Sequence, residues 1–470
     1  MKKGKNIIKE IFLKGLLLII FTIAALFAQW ESDQRLTIND SVSWASENNA
    51  RCIAASGDTV HVVWYDNRDG NWEIYYKRSF DGGISWGPDT RLTNGPADSW
   101  CPAITVWNSQ ISIVWHDNRD GNYEIYYRHS SDWGTTWGEA IRLINDAATS
   151  WYPSIAVWSS QIHVIWQDFR DNNDGEIYYK HSTDGGETWG PDTRLTDAPG
   201  ASLSPSITVS GSNIHVAWVG LDLLTVPLIY YKRSTDGGVS WAGDILIGDF
   251  FGRNVSVASS GSNIHVVWAQ GASSNDWKVY YRRSTDNGIT WKPVVCLSSV
   301  SWYARDPFVT VSGSNVHVVW IDFRDGNGEI YYQRSTNNGA TWVETRLTND
   351  HFVSWGPSVA VGGSKVHVVW YDDRDGNYEI YYKRNNTGNP AVEEVTVQRP
   401  FQDFVAFPNP FTFFTIIPGH EKNMFVLYDI SGRVMGTCKG DRIGEGLAAG
   451  VYFVRPLSDL ATFLRIVKVK

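Results

Sequence analysis

Residues 64–86 read WYDNRDGNWEIYYKRSFDGGISW, and residues 115–137 read WHDNRDGNYEIYYRHSSDWGTTW. Acids, an arginine, paired tyrosines and tryptophans in so short a stretch are the tools of proton transfer and nucleophilic attack. Asp66 and Asp69 are the candidate acids. The same stretch has two other readings. Asp66, Asn67, Asp69 and Asn71 place oxygens at near-alternate positions, as a calcium loop does, but Arg68 in their midst opposes a cation. Asp-Gly is also a strong hairpin turn, which an Asp–Arg pair can tie down. A second set of residues suits sugars. Trp44, Trp100, Trp151, Trp302 and Trp355 each follow a serine. A tryptophan face stacks on sugar C–H groups while polar neighbours read hydroxyls; the same rings can equally pack as a lid. A third set, His61, His163, His215, His265, His317 and His367, lies three residues before a tryptophan each time. These would ligate a metal only if they converged.

The elements that carry these residues follow from periodicity. An apolar strand ends in Trp64, Trp115, Trp166, Trp218, Trp268, Trp320 and Trp370, at steps of 51, 51, 52, 50, 52 and 50 residues. A fixed period near 50 marks stacked supersecondary units. In the third unit, SIAV (154–157), IHVIWQD (162–168), EIYYKHS (176–182) and TRLT (193–196) read as strands, with turn residues between them. Four short antiparallel strands repeated radially make propeller blades. The fold class is all-β, with seven blades. The seventh unit ends in RNNTGNP and lacks its fourth strand. QWESDQRLTIND (29–40) places Trp30 and Leu36 six apart, as Trp86 and Leu92 and Trp189 and Leu195 are, so the N-terminus supplies that strand and closes the ring. The histidines then sit in separate blades, packed between sheets. Strand direction puts the DNRDGN turn and the link into each first strand on one face of the ring.

SFDGGISW (79–86), SSDWGTTW, STDGGETW, STDGGVSW, STDNGITW and STNNGATW (335–342) resemble the Asp-box of the bacterial-neuraminidase repeat. The chain from about 30 to 389 thereby resembles the sialidase-like propeller superfamily. The resemblance implies a structural role for Asp81, Trp86, Asp132, Trp137, Asp184, Trp189, Asp236, Trp241, Asp286, Trp291, Asn337 and Trp342. Asp accepts from its own turn, Gly supplies positive φ, and Trp packs on a neighbour. It also implies a site over the axis on the DNRDGN face. A sialidase of this kind holds its substrate carboxylate with three arginines and needs an acid and a Tyr–Glu nucleophile. Arg253 and Arg305 align fifteen residues before their strand-two tryptophans, and Arg51 is offset by two. Trp100, Trp151 and Trp355 share the Arg253 position, while Trp44 and Trp302 fall in longer links. The family's usual entry motif is absent, its catalytic domain usually has six blades, and Asp66 recurs in most units. Binding of a glycan or another extracellular partner is therefore the expected function. Sialidase-type hydrolysis, with Arg51, Arg253, Arg305 and Asp66 as candidates, is the alternative. A structural surface protein is the third reading. Units four and five break the refrain, reading VGLDLLTVPLIYY and AQGASSNDWKVYY.

Residues 1–28 are basic and then apolar, as a secretory signal peptide is. After a linker at 391–404, residues 405–470 carry FPNPF, LYDISGR, GVYF and a basic final strand. They resemble the C-terminal sorting domain of type IX secretion, a small β-sandwich, which implies export, contact with that machinery and a secreted or surface-attached product. A net charge of −9 gives no reason to expect a nucleic-acid partner. No span of the mature chain, no cofactor and no metal are expected, and a monomer is. Cys52 and Cys101 fall at similar places in adjacent units, where one bridge is conceivable.

Overall fold

The computed structural model describes residues 30–45, 50–171, 174–221, 225–248, 251–271, 276–387, 422–429, 434–456 and 464–468. The signal-like segment, the linker and FPNPF lie outside them. Two units separate, at Met1–Pro390 and Ala391–Lys470.

The first unit is a seven-bladed β-propeller of four-stranded antiparallel sheets. Blade 3 is representative: Ser150–Trp158, Gln161–Asp168, Glu176–Ser182 and Thr193–Arg194, hydrogen-bonded in that order. Neighbouring first strands line up side by side around the ring, so the first strand is innermost. Inner strands are longer than their apolar core suggests. In blade 3 the strand starts at Ser150 rather than Ser154, because a bulge joins Trp151 to the ladder. Blade 1 has its inner strand in two pieces, Ser43–Trp44 and Ile53–Ser56. Blade 7 takes its outer strand from the N-terminus: Gln34 pairs with Tyr382 and Arg35 with Tyr381. No helix occurs among the described residues.

The repeat is legible as packing. Each second strand buries its tryptophan completely, apart from Trp218, which is 2% exposed. The six strand-two histidines are buried, and Nδ1 of each shares a hydrogen bond of 2.6–2.8 Å with a tyrosine hydroxyl on the third strand. Blade 2 substitutes Ser112, bonded to Tyr127 at 3.1 Å. That tyrosine also receives the next blade's Asp-box. Trp137 meets Tyr76 edge-on at 5.0 Å, and a Cβ on Gly134 would lie 2.2 Å from the Tyr76 hydroxyl. Only glycine permits this approach, and its φ of 78° favours glycine as well. Within the turn, Asp132 accepts the Thr136 N–H at 2.9 Å, the Thr136 hydroxyl at 2.7 Å and the Ser130 hydroxyl at 2.8 Å. Those bonds, the Thr136 N–H first, hold its carboxyl well below the usual range. Trp30 replaces the missing Asp-box tryptophan, meeting Tyr332 at 5.0 Å. Cys52 and Cys101 are both buried, and no disulfide joins them.

The second unit shows one four-stranded antiparallel sheet, ordered Val434–Lys439, Met424–Tyr428, Gly450–Pro456, Leu464–Lys468. Phe425, Leu427, Ile443, Tyr452 and Val454 form its core.

Candidate functional site

The refrain turn folds as a self-contained knot. Asp66 is fully buried and accepts the Arg68 N–H at 2.8 Å, the Ser43 hydroxyl at 2.7 Å and an Arg68 guanidinium N–H at 2.6 Å. Arg68 lies over the Tyr75 ring at 4.4 Å and reaches Asp89 at 2.7 Å. Asp69 takes the Tyr75 hydroxyl and pairs with Arg91 at 3.0 Å. Asn71 donates to the Ala97 carbonyl at 2.6 Å, which anchors the following link. Blades 2, 3, 6 and 7 repeat the central pair as Asp117–Arg119, Asp168–Arg170, Asp322–Arg324 and Asp372–Arg374. The serine of each Ser-Trp pair is part of this knot, a role the sequence did not suggest. In blades 1, 2, 3, 6 and 7 its hydroxyl donates to the turn's first aspartate. Among the described residues no group of acids, histidines and cysteines is placed to hold a metal ion.

The seven inner strands bring one position to the same face. It is the residue paired with the one after each strand-two tryptophan. Its occupants are Trp44, Trp100, Trp151, Leu203, Arg253, Arg305 and Trp355 in blades 1 to 7. Trp44 is therefore in register, not in a longer link. Trp302 precedes the position, is 53% exposed and stands 5.9 Å from Tyr303. Arg51 lies beyond the position, where its carbonyl accepts the Ile104 N–H of blade 2 at 2.8 Å. Burial lowers its pKa, and among the described residues no carboxylate pairs with it. Two of the three arginines thus share a position in adjacent blades, and Arg51 does not. Each of the two leans on a different ring: Arg305 on Trp355 at 4.7 Å, Arg253 on Trp277 at 5.4 Å.

In blades 2 to 7 the next residue adopts a left-handed backbone: Cys101, Tyr152, Ser204, Asn254, Asp306 and Gly356, with φ between 49° and 53°. Five of these six precede proline. This bulge re-aims side chains at the rim of the ring. Asn, Asp and Gly at one recurring position, followed by proline in every blade from 2 to 7 but the fifth, are the sequence signal that would have found it.

The rim is aromatic over most of its circuit. Trp44 contacts Tyr65, Trp72, Tyr371 and Tyr378 with centroids 5.4–6.3 Å apart, and Trp72 continues to Trp100 at 4.8 Å. Trp151 meets Phe169 at 5.2 Å, and Phe323 meets Trp355 at 5.9 Å. The four rim tryptophans are half-buried, so each keeps part of its surface in solvent. The rim tryptophans give way at blades 4 and 5, where the refrain turn is missing and Leu203 and Arg253 take their position, with Trp277 of blade 5 against Arg253. There a cavity of about 470 Å³ opens, lined by Leu203, Ser204, Val219, Leu221, Thr225, Pro227, Arg253 and Asn254. The knot of blade 4 is incomplete: Ser202 is buried, and its hydroxyl finds no partner among the described residues because Gly220 stands where the aspartate would be. The aromatic arc abuts the cavity, since a Cβ on Gly175 would meet both Phe169 at 3.3 Å and Leu203 at 3.5 Å. Arg253 is exposed and, among the described residues, forms no ion pair.

Residues 282–293 match the BNR/Asp-box repeat family. No curated protein matches the chain. Among solved structures, a PL25 ulvan lyase bound to -[GlcA(1-4)Rha3S]- has a TM-score of 0.53 at 12% identity, over 75% of this chain and 95% of that one. The polysaccharide lyase Uly1 has a TM-score of 0.52 at 9% identity, over 76% of this chain and 100% of that one. A Trypanosoma rangeli sialidase in complex with 2,3-difluorosialic acid gives 0.45 at 14% identity, over 63% of this chain. The chain spans only 56% of that protein. The chain is a seven-bladed β-propeller in which one stretch matches the Asp-box repeat, and it shares the overall fold of the two lyases. At these identities the likeness assigns no substrate.

Proposed function

We propose that the protein is a glycan-binding propeller that holds an acidic sugar in the cavity between blades 4 and 5, with neighbouring sugars stacked on the aromatic rim. One observation carries the reading: the cavity, with its exposed Arg253, lies where the repeat breaks, and the rim aromatics run up to it. A single ligand site needs asymmetry, and this is where the ring supplies it. Arg253 offers forked donors to a carboxylate or sulfate, and Ser204, Thr225 and Asn254 offer hydroxyls and an amide to the sugar. Apolar Leu203, Val219, Leu221 and Pro227 suit the C–H faces. The net charge of −9 repels a polyanion at long range, so binding rests on the local guanidinium and weakens with salt. Hydrolysis has less support, because Asp66 is consumed by the turn and Arg51 stands outside the shared position. Export through the signal-like N-terminus and the C-terminal unit is part of the same proposal, and it fits a surface-directed glycan binder.

Affinity electrophoresis in gels containing alginate, polygalacturonate, polysialate or a sulfated galactan tests the binding. Retardation by at least one is expected, and Arg253→Ala should weaken it by roughly 10- to 100-fold, the worth of a charge-assisted bond. No retardation in any gel, or an unchanged Arg253→Ala, refutes the reading. Release of free sialic acid from polysialate would favour the hydrolase instead.

A further inference from the structure

The last residue of each inner strand, where the chain turns into the second strand, lies on the face opposite the cavity. In ring order these residues are Ser56, Trp107, Trp158, Ser210, Ser260, Ser312 and Gly362. Five are serine or glycine. The two tryptophans are adjacent, in blades 2 and 3, and their rings lie 5.0 Å apart at a tilt of 49°. The fold does not require them. Trp158 is 40% exposed, and Trp107 is half-buried. Neither indole N–H has an acceptor among the described residues. At the equivalent place between blades 7 and 1 there is no room at all: a Cβ on Gly362 would sit 2.4 Å from the Gly57 carbonyl oxygen.

The surroundings indicate what could bind. The hairpins read WNSQ and WSSQ, with no charge. Asn108 and Ser159 hold left-handed turn positions at φ 51° and 58°. The Asp-box turns buttress both hairpins, through Trp133 N–H to the Ser109 carbonyl at 3.0 Å and Gly185 N–H to the Ser160 carbonyl at 2.9 Å. Charge on this face lies in the buttressing turns rather than in the hairpins: Asp132 and Asp184 are held by their own turns, Glu187 stands 3.6 Å from His129, and Lys365 pairs with Asp58 at 2.6 Å between blades 7 and 1. Half-exposed indoles on buttressed turns, flanked by uncharged amides and hydroxyls, match the needs of a neutral pyranose: apolar faces to stack on and groups that both donate and accept.

We infer that Trp107 and Trp158 form a second carbohydrate platform, for neutral pyranose chains, on the face opposite the acidic-sugar cavity. Two sites on opposite faces would let one molecule engage two glycans at once and gain from effective concentration. The test is affinity electrophoresis of the full chain in gels of xylan, mannan, mixed-linkage glucan and dextran, together with sedimentation velocity. Retardation in at least one gel is expected. The double variant Trp107→Ser, Trp158→Ser, which copies the serine of blades 1, 4, 5 and 6, should keep its thermal midpoint and lose the retardation at least tenfold. The single variant Trp158→Ser should lose part of it, and it serves as the readout if the double variant does not fold. Migration unaffected by all four polymers overturns the inference. So does equal retardation of variant and wild type, or a wild-type dimer that the substitutions convert to monomer, which would make the pair a contact between copies. The acidic gels read the cavity and the neutral gels read the tryptophan pair, so either proposal can fail alone.

Discussion

The ring of Trp137, on a turn of blade 2, stands edge-on to the ring of Tyr76, in the third strand of blade 1, at 5.0 Å. The contact therefore joins blades rather than bracing one. It recurs from Trp86–Tyr382 round to Trp342–Tyr281, with centroids 4.8–5.1 Å apart. Trp137→Ala should destabilise by about 2–3 kcal/mol, less than a fully buried tryptophan because the ring is only half-buried. Tyr76→Leu removes the ring and with it the His61 bond, at about 2–4 kcal/mol. Urea unfolding of both variants and the double variant should give a coupling of about 0.5–1.5 kcal/mol. A coupling near zero would mean that the edge-on geometry contributes nothing beyond burial.

Acid should loosen the ring before it protonates the Asp-boxes. Burial, reinforced by the nearby charge of Arg233, holds His215 at about 3, and His61, His265 and His317 lie similarly low. An unfolded histidine titrates near 6.5. The folded state thus refuses protons that the unfolded state accepts. This stability is complete above pH 6.5 and is lost as pH falls toward 3, at up to about 1.4 kcal/mol per pH unit for each ring. The thermal midpoint should fall steadily from pH 7 to pH 4. His215→Ser, which copies the Ser112–Tyr127 pair already present in blade 2, should flatten that slope by one proton. An unchanged slope would mean that the ring is protonated in the fold.

Closure rests on few residues and should fail sharply. Arg35 pairs with buried Glu379 at 2.7 Å, Arg384 with Glu31 at 2.7 Å, and Arg374 with Asp33 at 2.8 Å. Deleting residues 29–37 strips all three and uncovers the edge of Glu379–Asn385. A bare edge strand templates association. The truncated protein should unfold at a temperature lower by several degrees and form concentration-dependent oligomers in size-exclusion chromatography. A monomer of native stability would show that the ring closes without the N-terminal strand.

Much of this ring was legible in the sequence, because radial repetition writes each packing rule seven times. The step of the tryptophans gave the blade, and the missing RLT of the last unit, found again at Gln34–Arg35, gave the closure. The site was legible only as an absence, in the altered turns of blades 4 and 5. Of its residues only Arg253 was found, as one of three candidate arginines, since Leu203 and Thr225 are ordinary side chains that become a cavity wall only in the folded ring. Trp44 was misplaced for a related reason. Its inner strand is split by residues 45–52, so counting back from Trp64 lands near Arg51, whereas the ladder pairs Trp44 with Tyr65. Trp107 and Trp158 were visible in the sequence, but only the alignment of strand ends shows them as two exceptions among seven.

Asp66 distinguishes a tie from a tool. It is buried, and it accepts from Ser43 and from both the backbone and the guanidinium of Arg68. Asp117 and Asp372 make the same bonds in blades 2 and 7. Asn in place of any one keeps the shape but weakens the ion pair and leaves a half-buried guanidinium short of its counter-charge. Each substitution should cost about 2–3 kcal/mol. The costs at Asp66 and Asp372, whose arginines keep a second carboxylate in Asp89 and Asp33, should agree within about 1 kcal/mol in urea unfolding. Asp117→Asn, which leaves Arg119 with no paired carboxylate among the described residues, should cost somewhat more. Retardation by acidic glycan should survive in all three at temperatures where they remain folded. A structural tie predicts this parity among blades. A loss of ligand binding or turnover confined to Asp66→Asn, at the stability of the other two, would instead give Asp66 a chemical role that its counterparts lack.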